Sequence, residues 1–493
     1  MKINPGIKAY AIIVLIALLI PISINWFTFL AHFLSDDNDT PVNPLEYKIL
    51  TDSTAAVRKC RFSEIENICI PEKVLINGNE YTVTHIGNKA FSYCHELTNI
   101  EIPESVESIG KSAFEGCSNL RNIKIPANVT NIGKYTFYGC SSLENIEIPE
   151  NVTNIGDKAF GNCSSLTSIK IPKSVNSIGN SVFSGCSSLK DIKIPENVTN
   201  IRKYTFYGCS SLENIGIPAN VESIGESAFE DCSNLTNIEI PESVKYIENS
   251  AFHSCSSLTS IKIPTYVTSI ENWTFYDCSS LTNIEIPESL KYIGNSAFSG
   301  CSSLKKIKIP ESVTNIGDRA FGNCSSLTDI EIPASIINIG NSTFYGCSSL
   351  TDIEIPESVS HIGESAFNKC SSLTNIKIPK SVTCIEAFAF YECSNLTNIK
   401  IPTNVKNIGD SAFFGCSSLN NIKIPANITS IENYTFYGCS SLENIEIPEN
   451  VSKIGHSAFA GCHNLDVVID NSKNNVVVGE DAFDGCKSVR YND

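Results

Sequence analysis

A net charge of −17 over 493 residues argues against nucleic acid and anionic membrane surfaces as partners, because each needs a basic stripe to displace counterions. The apolar content of 42% is that of an ordinary globular chain, and Pro and Gly are spread evenly, so no low-complexity linker divides the body. Length alone would suggest about three domains, yet the chain repeats itself, and repetition points to one continuous body.

Residues 1–8 read as a short cytoplasmic segment. Residues 9–34 contain no Asp, Glu, Lys or Arg, a stretch long enough to cross a hydrocarbon core of about 30 Å as an apolar helix. Lys2 and Lys8 precede it and Asp36, Asp37 and Asp39 follow it, which places the body outside the cytoplasm. The reading favoured is a transmembrane signal anchor, since Trp26, Phe27, Phe29, Leu30 and Phe33 run on past the point where a signal peptide stops. A cleaved signal peptide ending near Pro21 is the alternative, and either exports the chain. Residues 35–48 are then a linker.

Residues 49–93 read as an N-terminal cap and first coil. Within them Leu75–Thr84 is a hairpin signal centred on Asn77-Gly78. Cys60 and Cys69 flank a nine-residue step and could close the cap as a disulfide.

From Cys94 to Cys462, seventeen cysteines recur at an interval of 23 residues, each with Phe three residues before it; Cys486 follows one residue late. The apolar positions of one unit are Leu143, Ile146, Ile148, Val152, Ile155, Phe160 and Cys163, which fit neither a helical period nor one long alternation. Each unit is therefore a coil with short straight sides and corners. Ile146-Glu147-Ile148 alternates as a strand until Pro149 removes a donor, Val152–Ile155 is a second short strand, and Ala159-Phe160 opens a tight helical or 3-10 turn. A lone coil cannot close a core, so stacking is compulsory, and eighteen coils at a strand spacing of about 4.8 Å make a rod near 85 Å long.

The pattern Leu-x-x-Ile-x-Ile-Pro-x-x-Val-x-x-Ile-Gly-x-x-Ala/Thr-Phe-x-x-Cys, over roughly residues 65 to 486, resembles the BspA-like leucine-rich repeat family. That resemblance implies a surface or secreted protein, with adhesion to host matrix or other cells as the default activity. The fold expected is a β-rich repeat solenoid, a right-handed superhelix with short parallel strands, spanning residues 94–486, with a C-terminal tail at 487–493.

The cysteine column reads as core packing, the thiol serving as a small hydrophobe beside Phe. Cys384 stands outside that column and reads as partly exposed and reactive. The outward strand position carries Glu101, Lys124, Glu147, Lys170, Lys193, Gly216, Glu239, Lys262, Glu285 and Lys308, continuing through Lys377, Lys400 and Lys423 to Glu446. In register these form one charged face in which opposite neighbours attract, either a binding surface or a device for solubility and register. Tyr138, Tyr207, Tyr276, Tyr345 and Phe414 recur every 69 residues, with Tyr135, Tyr204 and Trp273 beside them. They are expected as aromatic knobs about 14 Å apart along one edge, suited to a protein partner, or as relics of a duplicated three-coil block. Asn-x-Ser/Thr triplets at Asn128, Asn151, Asn197, Asn427 and Asn450 are acceptor sites only in a eukaryotic secretory pathway.

Scattered histidines, with no Ser/His/Asp grouping and no phosphate-cradling loop, argue against catalysis, and neither a cofactor nor a metal site is expected, His456, Cys462 and His463 included. The function expected is a non-catalytic cell-surface protein binding other proteins by avidity. A self-associating surface scaffold with lateral contacts and an intracellular interaction scaffold are the alternatives.

Overall fold

The computed structural model describes residues 43–492, and Tyr47 begins the second of two units in the chain. The apolar helix expected at 9–34 lies outside the described residues. Among those that are described, no helix is long and apolar enough to cross a membrane.

The second unit is a β-solenoid of stacked coils, and one coil shows how the repeat builds it. Strand Asn145–Glu147 turns Ile146 inward between two exposed neighbours, and Ile146 pairs in parallel register with Ile123 before it and Ile169 after it. The second strand is only Asn154–Ile155, paired in the same way with Asn131–Ile132 and Ser177–Ile178. Four tight turns join these sides. Val152 N–H donates to Pro149 O, Ala159 to Gly156, Cys163 to Phe160 and Leu166 to Cys163, at 3.0–3.2 Å.

The corner expected as a helical or 3-10 turn is neither, because two of its residues are left-handed. Lys158 has φ 55° and Asn162 φ 58°, and the equivalent pair recurs around the solenoid. A left-handed residue interrupts any right-handed helical turn, which explains why the position before Cys is so often Gly, Asn or Asp. The corner instead bonds forward along the stack: Tyr135, Phe137 and Gly139 N–H donate to the carbonyls of Asp157, Ala159 and Gly161 in the next coil. Among the described residues the only 3-10 segment is Lys473–Asn475.

Identical coils produce columns of identical side chains. Phe91 to Phe483 form one continuous stack, buried up to Phe459 and half-buried at Phe483, with ring planes nearly parallel and centroids 5.2–5.8 Å apart. The cysteine column is buried beside it, but its thiols do more than fill space. Cys140 Sγ donates to Phe114 O, and Cys163 Sγ to Phe137 O, both at 3.2 Å. Phe114 O already accepts the N–H of its own Cys117 at 3.2 Å, so one carbonyl ties two coils together. Serine hydroxyls add a second column, Ser164 to Ser141 O and Ser187 to Ser164 O. The triplet asparagines add a third: Asn151 Nδ2 donates to Ala127 O at 2.9 Å and Asn450 to Ala426 O at 2.9 Å, so these amides bind coil to coil.

The cap feeds both strand columns. Strands Lys73–Ile76 and Asn79–Ile86 make the expected hairpin, with Ile76 opposite Asn79 and both Asn77 and Gly78 at positive φ. The hairpin's long strand continues into the second column at His85–Ser108. Asn67–Cys69 starts the first column, with Cys69 opposite Glu101. Two boundaries need correction. A strand at Leu45–Ile49 begins inside the stretch expected as linker, and the expected tail contains strand Ser488–Tyr491, which pairs with Asp466–Ile469 and completes the last coil.

The expected Cys60–Cys69 disulfide is not formed. Both are free thiols, Cys69 exposed and Cys60 buried, because the strand geometry turns Cys60 onto the head of the cysteine column and Cys69 outward. Cys60 and Cys94 hydrogen-bond through their thiols, which holds Cys60 down to about 7 and pushes Cys94 up.

Burial raises the column thiols, Cys186, Cys324 and Cys370 to about 12 and Cys140 and Cys255 also well above the ordinary value, so the nucleophilic thiolate is negligible at neutral pH. Alkylation of the native protein at about pH 8, mapped by mass spectrometry, should therefore modify Cys69 while the column from Cys117 to Cys462 stays protected until denaturant unfolds the coils. Rapid labelling of the native column would contradict this packing.

Candidate functional site

The outward strand positions form the expected row, Glu147 between Lys124 and Lys170, Lys262 beside Glu285, Lys308 beside Glu331. The lysines do not close ion pairs with those neighbours. Lys124 instead reaches Glu104 at 2.7 Å, Lys170 reaches Glu150 at 3.2 Å, Lys262 reaches Glu242 at 2.8 Å and Lys308 reaches Glu288 at 3.6 Å. Each acid is the residue after the Pro of the preceding coil. A flexible lysine stem can bend back to it, and the acid is held there by a backbone donor: Ala127 N–H on Glu104 and Thr265 N–H on Glu242. Lys262 and the Thr265 N–H together hold Glu242 down to about 2. Lys193 and Lys400 find Lys173 and Lys380 at that position, so the face has basic stretches there, paired stretches at Lys124 and Lys262, and an acidic one where Glu331 and Glu354 follow each other.

The aromatic edge follows from the corner. Tyr135, Tyr204 and Trp273 occupy the first left-handed position, at φ 56–59°, and Tyr138, Tyr207 and Tyr276 stand three residues on, beside the buried Phe. Within a coil the pair packs edge to face, with centroids 5.6 Å apart for Tyr135–Tyr138 and 6.0 Å for Tyr204–Tyr207. The rings are half-buried rather than free-standing knobs, Trp273 being the exception at 45% exposed. Asn162 Nδ2 donates to Tyr138 Oη at 2.9 Å, and Tyr204 Oη donates to Glu226 at 3.1 Å. Lys158 lies 5.6 Å from the Tyr135 ring centre, while Arg319 and Lys369 flank the Tyr345 ring.

Between these anchors the column shrinks. From Tyr138 to Tyr207 the intervening coils carry Gly161 and Ser184; the Tyr138 ring leans over Gly161, and beyond it, beside the small Ser181 and Ser184, lies a cleft of about 590 Å³. It is lined by Tyr138, Tyr204 and Tyr207, with Lys158 on one side and Glu226 and Glu230 on the other. A uniform core thus permits a notch wherever one outward column alternates large and small. Ser299 and Gly322 between Tyr276 and Tyr345 repeat the order of small residues, with the Arg319 side chain lying over Gly322. From Tyr207 to Tyr276 the column is instead occupied by Glu230 and His253, the latter stacked 4.9 Å from Tyr276.

Sequence reasoning by the 69-residue period caught Phe414 but missed its neighbours. Tyr391, Phe414 and Tyr437 stand in consecutive coils and stack at 4.6 and 4.7 Å, with Phe388 and Tyr434 alongside. Reading the column every 23 residues would have shown them. Tyr246 and Tyr266, each about two thirds exposed at 65% and 68%, were missed because they lie in other columns. Cys384 is half-buried, and burial together with the Glu386 carboxylate pushes its thiol up to about 11, so it is not the reactive thiolate expected.

A solenoid of 23-residue coils joined by parallel strands, with sequence variation confined to outward columns, is a leucine-rich repeat scaffold. The sequence model for the BspA type leucine rich repeat region matches residues 60–190, 153–282, 268–383 and 361–490, and this chain belongs to that family. Among solved structures, a leucine-rich repeat protein from Bacteroides ovatus is 30% identical, with 92% of this chain and 100% of that one covered and a TM-score of 0.46. A leucine rich cell surface protein from Faecalibacterium prausnitzii is 31% identical over 74% of this chain and 95% of that one, with a TM-score of 0.49. The T. pallidum leucine rich repeat protein is 27% identical over 45% and 91%, with a TM-score of 0.33. No curated protein sequence matches the chain.

The Glu242 carboxylate offers a direct check of the bent-back ion pairs. Its pKa of about 2 lies below the ordinary carboxylate value, so its contribution is present above about pH 4.3 and fades as pH falls through 2. Carboxyl carbon shifts followed by NMR should place the Glu242 midpoint near 2, and Lys262→Met should move it up toward 4. A midpoint unchanged by that substitution would show that the lysine goes to the strand neighbour instead.

Proposed function

We propose that this chain is a non-catalytic cell-surface protein that binds protein partners, on host matrix or other cells, through the aromatic edge of its solenoid. The observation that carries this is the notch between Tyr138 and Tyr207. Aromatic walls bury area with little loss of rotamer freedom, and opposite charges at the two sides can orient an extended segment or a projecting side chain. One notch binds weakly. The repeat at Tyr276–Tyr345 and the aromatic stack at Tyr391–Tyr437 let several weak contacts sum on one rigid support. Presentation at the surface is supported by the uncharged run at residues 9–34, with lysines before it and aspartates after it, acting as a signal anchor that leaves the solenoid outside.

Two measurements test the two halves of the proposal. Residues 43–492, applied to immobilised matrix proteins and to intact cells, should bind, and Tyr138→Ser with Tyr207→Ser should weaken binding roughly tenfold while leaving the thermal midpoint within a few degrees. Serine already stands in this column at Ser184 and Ser299, so the coils tolerate it. Binding that ignores both substitutions would remove the aromatic edge from the mechanism. A reporter fused behind residues 1–48 should fractionate with membranes and be open to external protease; a reporter in the cytosol would remove the anchor.

A further inference from the structure

We propose that His361, Cys384 and Glu386 form a binding site for a single thiophilic divalent transition-metal ion of the zinc(II) class, on the second strand column of the solenoid. The three offer one ligand atom each, all within 4.8 Å of one another. Cys384 Sγ lies 3.2 Å from Glu386 Oε1 and His361 Nε2 lies 3.7 Å from the same oxygen. Ligand atoms around a tetrahedral zinc ion stand about 3.3–3.7 Å apart, given metal bonds of about 2.0–2.3 Å, so the ion fits with small side-chain rotations.

The topology brings them together. His361 and Cys384 face each other in register on adjacent strands, His361–Ile362 and Cys384–Ile385, and Glu386 follows one residue beyond. A 23-residue separation has no meaning as a chelating motif until one coil is known to stack on the next. The other coils serve as internal controls. Next to His361 and Cys384 on either side, the column carries Asn338 and Asn407, and elsewhere it is mostly Asn, Ser or Tyr. Glu386 stands where the flanking coils carry Gly363 and Gly409. Three departures from the repeat thus converge on one point. Where the same column carries Glu432, that acid is taken up by Ser430 and by Lys453 of the next coil at 3.2 Å; Glu386 has Cys384 in the place of Ser430, Asn407 in the place of Lys453 and the His361 imidazole on its other side.

Access and a further ligand are provided. A polar cleft of about 480 Å³ opens on the His361 side of the cluster, lined also by Asn338, Asn341, Ser360 and Thr383 but not by Cys384 or Glu386, and a solvent water would complete the four-coordinate shell. Asn407 Nδ2 stands 3.9 Å from the sulfur, placed as an outer donor to a thiolate. On coordination the thiol proton passes to solvent and the Cys384 thiolate, neutral His361 and ionised Glu386 supply three electron pairs. The Cys–His–Glu set favours a borderline-soft ion over magnesium or calcium.

Cobalt(II) is the probe, added to the untagged protein under a non-chelating reductant. The expected result is one equivalent bound, with a thiolate-to-cobalt charge-transfer band in the near ultraviolet, displaced by zinc(II) and not by magnesium. Cys384→Ser should abolish the band, and His361→Asn and Glu386→Gly should each weaken binding at least roughly tenfold. Each substitution restores a residue that the same column carries in other coils, as at Ser430, Asn338 and Gly363, so the fold is kept. Absence of the band in the parent protein, or a band of equal strength and affinity in Cys384→Ser, would overturn the proposal.

Discussion

Each corner of the solenoid turns on one carbonyl group with two donors. The Phe oxygen receives the N–H of the cysteine three residues on, which closes the turn, and the S–H of the cysteine in the following coil, which fixes the stacking distance. A buried carbonyl has two lone pairs, and leaving the N–H buried without a partner would cost about 1–3 kcal/mol, the weak S–H donor less. Cysteine suits the place because it combines a small apolar body with a weak donor of the right reach. Alanine would fill the space without the bond. The continuous phenylalanine stack follows, since the same corner that aims the carbonyl also aims the ring at its neighbour.

With the interior so uniform, variation is confined to outward columns, and each column becomes a short message written once per coil. The Tyr-Gly-Ser-Tyr passage produces a notch, Tyr-Glu-His-Tyr fills it, and Tyr-Phe-Tyr makes a stack. The strand face obeys the same logic: lysine appears mostly where the preceding coil offers glutamate after its proline, as at Lys124 with Glu104 and Lys377 with Glu357 at 3.3 Å. Exposed pairs of this kind add little stability each. Their effect is to decide where the face is neutralised and where Lys193 or Lys400 leaves it basic.

The coil length, both strands, the cap hairpin and the inward residues were legible because the apolar pattern and Pro, Gly and Asn-Gly act locally. The corner was misread as helical because Ala-Phe-x-x-Cys has helical spacing, while the left-handed φ of Lys158 and Asn162 is set by bonding to the next coil. Lysine pairing was misassigned because strand register is readable from sequence but the reach of a side chain past its own strand is not. Cys60 escaped for a related reason: nearness along the chain favoured Cys69, whereas the cap delivers it to Cys94. The His361–Cys384–Glu386 cluster exists only through stacking.

The aromatic edge carries a cost that the backbone gives no reason to accept. Tyr135, Tyr204, Trp273, Phe388 and Tyr434 sit at positive φ, where most other coils place Ser or Lys, and a left-handed residue with a Cβ is less stable by about 1–2 kcal/mol. The corner is held in that conformation by bonds on both sides, so any residue can be forced into it. Part of the cost is returned by the edge-to-face partner three residues on, worth about 0.5–1.5 kcal/mol. The left-handed cost does not select a ring over serine, since Ser181 and Ser227 hold the same corner, and the edge-to-face contact favours a ring only where the residue three on is aromatic too. What distinguishes the ring is the apolar surface it leaves half open at the corner, which the charged strand face does not offer.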